Sequence, residues 1–312
     1  MNMLSLDIAK NEVRHLFRER TFFLILSVFI LITLASTYIG WSSQHTVESV
    51  YQQSVLTLTA AGKNIPPSPF SNLPPLDIVK NMIIYVVLIG SLLAITIGHA
   101  IGTKDQKAGV VRILFSKPLT KKDYLMGKLI SMSMVLFAIT GVSLIISVIS
   151  VAILSQISSA LLLNLIEFYA ISYVYMLGFG FLGLSFGLMK KESATALLIP
   201  IIIWVLITFA LPEMGSALYP TSSLNPVLPQ TNILDSPMLS AIHNVLYPFS
   251  ISEHYKVLSS LTLGLQQTTT TAYVAYPPLI SLSILVIWLL ATLGVSVRSV
   301  SGFDISRGDI YE

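Results

Sequence analysis

A metal or nucleophilic site in this chain would have to be built from five histidines, His15, His45, His99, His243 and His254, and from no cysteine at all. None of the histidines pairs at a ligand spacing such as His-Glu-x-x-His, and without thiols there is neither a thiolate metal site nor a disulfide. Gly127-Lys128 has the ending of a phosphate-binding loop. That loop also needs a glycine five residues before Gly127 and a hydroxyl residue after the lysine. Lys122 and Leu129 stand in those two places. No serine elbow and no paired intramembrane acids point to hydrolysis. Glu167 is the one acid near membrane depth, where an ionisable residue is a functional candidate by default. It falls with Asn164 where an apolar run begins, so an interfacial position is the plainer reading. Tyr169, Tyr173 and Tyr175 follow it, as an aromatic belt or as the lining of an exit route. These residue types predict a non-catalytic chain with no metal and no cofactor of its own.

The informative chemistry is charge. Gly102 to Lys128 carries Lys104, Lys107, Arg112, Lys117, Lys121, Lys122 and Lys128 between two long apolar runs. Short basic loops between spans stay on the cytoplasmic side. Of the 18 Lys and Arg, only Lys63, Lys80 and Lys256 lie outside the segments 1–21, 102–128, 190–193 and 298–312. The bias places those four segments, and both termini, in the cytoplasm.

The elements that must position this loop follow from composition. The 312 residues are 54% hydrophobic and 11% charged, with a net charge of +3. Soluble domains carry roughly 25% charged residues. The sequence therefore reads as an all-α integral membrane protein forming a single unit over 1–312. Six segments are long enough to span, near 22–41, 82–101, 129–154, 165–189, 194–211 and 276–297. The first is too long for a secretory leader and is read as retained. Two outer loops remain, 42–81 and 212–275, both rich in proline. Short outer helices are expected there, one of them capped by Ser252 and running to Leu261. Residues 4–20 form an amphipathic helix with Leu6, Ala9, Val13 and Leu16 or Phe17 on one face and Lys10, Arg14 and Arg18 on another. Such a helix lies in the membrane interface and meets lipid.

Two spans have faces of small residues: Gly90, Ala94, Gly98 and Gly102 in the second, and Gly180, Gly183 and Gly187 in the fourth. Small residues let helix backbones approach in lipid. They predict packing inside one subunit, or contact between two. Pro200 should kink the fifth span.

Within the basic loop, 104–115 reads as a short helix with Val111, Leu114 and Phe115 on one side. Pro118 ends it. Thr120, with Asp123 three residues on, caps the next helix into the third span. This pattern resembles the permease subunits of type-2 ABC exporters. In them an acid and a glycine follow the second span. A short hydrophobic helix, a Ser-x-Pro step, a basic residue and a Gly-Lys pair come next. Here those are Asp105, Gly109, Leu114, Ser116 with Pro118, Lys121 or Lys122, and Gly127-Lys128. The six-span layout and the leading amphipathic helix match as well.

The resemblance implies a cytoplasmic coupling helix that docks on a separately encoded ATPase, through Asp105, Lys107, Gly109, Arg112, Leu114 and Phe115. ATP and magnesium would belong to that ATPase. A second permease, identical or related, would complete the substrate route, with Glu167, Tyr169 and Tyr173 as candidate route residues. The location implied is the cell membrane, with export as the direction and no nucleic-acid partner. Two other classes stay open at this point: a carrier driven by an ion gradient, and a signalling or anchoring protein whose outer loops bind a partner.

Overall fold

The computed structural model describes residues 3–16, 18, 20–65, 67–68, 75–106, 120–154, 158–189, 192–212, 245–265 and 277–301. Every regular element among them is helical. α1 is Met3–Leu16 and α2 is Arg20–Ala60. α3 is composite: α-helical over Asn81–Tyr85, one π turn over Val86–Gly90, and α-helical again over Ser91–Thr103. A 3-10 turn, Pro75–Val79, leads into it, and another, Lys104–Gln106, leads out. α4 is Lys121–Leu154 and α5 is Ser159–Met189. α6 is Ser193–Val205 continued by a π turn, Leu206–Ala210. α7 is Ile251–Thr262 and α8 is Pro278–Ser301. Six of these helices are long and apolar enough to cross a membrane: α2, α3 with its leading turn, α4, α5, α6 and α8.

α5 is the axis of the bundle. From Tyr175 to Ser185 every residue is buried, on all sides of the helix. A helix covered all round belongs at the centre. α3 packs on it most extensively, with α8, α4, α6 and α7 also against it. The outer surface is apolar: Leu31, Phe137, Ile153 and Leu279 are all exposed. In water such a surface would drive aggregation; in hydrocarbon it is the required one.

The closeness of α3 to α5 comes from glycine. A Cβ on Gly98 would overlap the Gly180 carbonyl oxygen, and one on Gly183 would overlap the Ile95 carbonyl oxygen. On Gly102 it would stand 2.7 Å from the Leu184 oxygen, and on Gly187 3.0 Å from the His99 oxygen. The two small-residue faces thus lie against each other inside one chain. Gly90 instead faces Met176 and Phe29, and Ala94 is fully buried.

Three expectations are corrected. The first outer segment is not a loop from 42 onward, because α2 continues to Ala60. Its Ser and Thr hydroxyls turn back onto their own helix: Thr46 donates to the Ser42 oxygen, Ser54 to Val50, Thr57 to Gln53 and Thr59 to Val55. The residues that looked like loop formers thus satisfy themselves within a helix. Gly62 then stops it at φ 63°, with Gly62 N–H bonded to the Thr59 oxygen and Lys63 N–H to the Leu58 oxygen. That is a glycine-terminated Schellman end. The second correction is at α5, which starts at Ser159 rather than near 165, with Ser158 Oγ receiving the Leu161 N–H at 3.3 Å. The third concerns α7. Ser252 does not cap it but donates to the Ile207 oxygen inside the π turn of α6, 3.1 Å away.

Candidate functional site: a buried ion cluster beside the basic loop

Three separate stretches of chain bring charged side chains to one point at the α1 end of the bundle. On α1, Glu12 stands three residues after Ala9 and four before Leu16, within the apolar stripe. A helix that buries this stripe therefore buries the acid with it, and Glu12 is 7% exposed. At the end of α3, the chain tightens into the Lys104–Gln106 turn, which turns Asp105 inward to 8% exposure. On α4, a capping box starts the helix. Thr120 Oγ1 receives the Asp123 N–H at 3.1 Å and donates to Asp123 Oδ2 at 2.6 Å. The first turns of α4 then carry Tyr124 and Lys128 four residues apart, on one face.

Lys128 is the centre, with no solvent exposure. Its Nζ donates to Glu12 Oε1 at 2.8 Å and to the Ile101 carbonyl at 3.0 Å, and forms an ion pair with Asp105 Oδ2. All three ammonium protons therefore have acceptors. The same Asp105 oxygen receives the Tyr124 hydroxyl at 3.0 Å. Lys104 Nζ takes the second Glu12 oxygen at 3.0 Å. The Tyr124 ring lies 5.4 Å from Lys128 Nζ, within cation–π range.

The cluster balances two carboxylates with two ammonium groups. A buried ion pair of this kind adds little over an apolar contact, but losing one partner costs about 3–5 kcal/mol. Its value lies in specification. It fixes α1, the exit of α3 and the entry of α4 as one body around the two ends of the basic loop. His99 adds a fourth element, with Nε2 3.0 Å from the Ser193 oxygen at the start of α6.

The residues expected to form the contact with a partner are only partly brought together. Asp105 is at the heart of the cluster. Lys107, Gly109, Arg112, Leu114 and Phe115 lie outside the described residues. Glu12, Lys104, Tyr124 and Lys128 were not among the expected site residues. The signal for Glu12 was an acid within an apolar stripe. Lys128 was visible as half of the Gly-Lys pair, but nothing local says that its partner is on α1.

The residues assigned to a route fall differently. Glu167 is exposed on α5 and faces away from the core. Tyr169 is buried and pairs with Ser147 of α4 at 2.6 Å. Tyr173 is half-buried, donates to the Ser133 oxygen at 3.3 Å and meets Phe137 edge to face. Tyr175 is fully buried. Tyr169 and Tyr175 therefore do not belong to an aromatic belt at the lipid surface.

Residues 6–303 match the family model described as ABC-2 family transporter protein. No curated protein matches the chain.

Proposed function

Because the chain belongs to the ABC-2 family of transporter proteins, we propose that it is the membrane-spanning permease subunit of an ATP-driven exporter. In this reading separately encoded ATPase subunits bind ATP and magnesium and push on the loop between α3 and α4. The end of the bundle that carries α1 faces the cytoplasm, in keeping with the Lys and Arg bias. A second permease, identical or related, completes the route, and substrate moves outward across the cell membrane.

The observation that carries this reading is the Lys128 cluster. A loop used as a handle needs rigid attachments at both ends, or its movement dissipates in the linkers. Asp105 stands at one end of 107–119 and Lys128 beyond the other, and the two are ion-paired. Glu12 joins α1 to the same pair. Force applied to the loop is thereby shared among α1, α3 and α4.

The test uses the chain reconstituted with its ATPase. Leu114→Asp with Phe115→Asp places charge among the apolar residues of the loop and leaves the cluster residues Glu12, Lys104, Asp105, Tyr124 and Lys128 unchanged. The expected result is normal membrane insertion with loss of ATPase association and of transport-linked hydrolysis. Unchanged association and transport would overturn the coupling role.

A further inference from the structure

α1 carries an apolar stripe that a helix lying free on a membrane would sink into lipid. Here the bundle takes it up. Ala9 is buried, Glu12 beside it is held by Lys128, and Val13 packs against the core. The face these residues define lies against α4. What remains outward is Lys10, Asn11, Arg14 and His15, all exposed and none apolar. Lys10 stands two residues before Glu12 and Arg14 two after. At about 100° per residue, both point within about 20° of the direction opposite the buried acid.

The basic row continues past the end of α1. Arg18 and Arg20 are exposed, and Arg20 opens α2. Just beyond it, Phe23 and Leu24 are 54% and 64% exposed while Phe22 and Ile25 are buried. Apolar side chains laid bare at the start of a span mark where hydrocarbon begins. From Arg20 to Phe23 the helix rises about 4.5 Å, and a headgroup layer is about 5–7 Å deep. Arg18 and Arg20 therefore stand at the level of lipid phosphates. Residues 10–20 hold four cations against Glu12 and Glu19, and Glu12 is already matched by Lys104 and Lys128. A protein partner is recognised through an apolar centre with a polar rim, and the exposed side chains of this face supply no such centre. They supply cations, and an arginine fork matches a phosphate through two parallel N–H bonds.

We propose that Lys10, Arg14, Arg18 and Arg20 form a contact surface for anionic phospholipid headgroups at the α1 end of the bundle, held by charge and not by insertion of α1. The bond from Lys128 to Glu12 fixes the way this surface is turned. The contact needs only the six spans in a bilayer and no ATPase, so it stands or falls apart from the coupling role.

The full-length chain alone tests it, reconstituted in phosphatidylcholine with a trace of spin-labelled phosphatidylglycerol or spin-labelled phosphatidylcholine. The motionally restricted fraction of each label reports how firmly the protein holds that lipid. The anionic label is expected to be favoured by about threefold or more at low salt. At about 1 M salt, where the screening length is about 3 Å, the preference should fall towards unity. Changing Lys10→Gln, Arg14→Gln, Arg18→Gln and Arg20→Gln together should remove most of it without lowering the melting temperature. Where that variant does not fold, Arg14→Gln with Arg18→Gln should lower the preference in part. Equal restriction of the two labels overturns the proposal, as does a preference that either variant retains in full. A preference indifferent to salt means insertion and overturns it too. Should the fourfold variant keep its lipid preference and lose an ATPase instead, the face is a protein contact and the proposal fails.

Discussion

Lys128 and Glu12 are 116 residues apart in sequence, yet Lys128 Nζ donates to Glu12 Oε1 across 2.8 Å with the lysine closed off from solvent. The bond clamps the N-terminal helix α1 to the entry of α4. Lys128→Ala takes the central ammonium from the buried carboxylates of Glu12 and Asp105, which are left with Lys104 and the Tyr124 hydroxyl, at a cost of about 3–5 kcal/mol. Thermal unfolding should show that loss. Proteolysis at Arg14 should show α1 released below the melting point. Lys128→Met with Glu12→Leu should cost less than the two single changes combined, since each single change already removes the bond the two share. Strict additivity would mean that the pair does not hold α1.

Gly98 and Gly294 are both helical glycines with opposite surroundings. Gly98→Ala drives a methyl into the Gly180 backbone, which cannot yield as a side chain would. Overpacking of this kind costs about 1–3 kcal/mol, and the variant should lower the melting temperature. Gly294 on α8 has nothing within 4 Å of its missing Cβ. Gly294→Ala should raise stability by up to ~1 kcal/mol through helix propensity alone. Equal effects at the two positions would contradict the close approach of α3 to α5.

Gly62 ends α2 at φ 63° with open space around it. The limit there is the backbone and not crowding. Gly62→Ala should fray the last turn and cost on the order of 1 kcal/mol. Hydrogen exchange should read this as faster exchange at Gly62 and Lys63, whose N–H groups close the helix end, with the buried half of α2 unchanged.

His254 on α7 is fully buried, with Nδ1 3.1 Å from Ser281 Oγ of α8 and its ring edge-on to Tyr247. Burial draws its imidazole below the ordinary range, partly offset by the Tyr247 backbone. Above about pH 6.5 the ring is neutral in both folded and unfolded chains and makes no difference. As pH falls through that value the unfolded chain takes up a proton that the folded chain resists, so stability is lost on acidification until the lowered folded value is reached. The comparison is with His254→Gln, which leaves the neighbouring ion pair of Glu253 and Lys256 in place. That variant should be less sensitive to acid than the parent as pH falls below about 6.5. Identical acid profiles would mean that the ring is not held neutral.

The spans could be read from sequence because lipid imposes one requirement that composition alone reveals: a long run without charge. The outward continuation of α2 could not. Ser and Thr between 42 and 60 signal turns in water, where their hydroxyls compete with helix hydrogen bonds. Here Thr46, Ser54, Thr57 and Thr59 bond back to their own helix and leave it intact. The two glycine faces could be seen as faces, but only coordinates pair Gly98 with Gly180 and Gly183 with Ile95. Asp105 was legible as part of a motif. Its partners were not, because an ion pair across α1, α3 and α4 has no local period to betray it.

α2 is one unbroken helix of 41 residues, about 60 Å long at ~1.5 Å per residue. A hydrocarbon layer is about 30 Å thick, so roughly half the rod stands clear of it as a mast. Its foot is seated among α3 and α4, and at its tip Thr59 and Ala60 are exposed among the described residues. A change of a few degrees at the foot becomes a sweep of several ångströms at the tip, which makes Ala60 the place on this molecule where a distance probe would report the smallest rocking of the bundle.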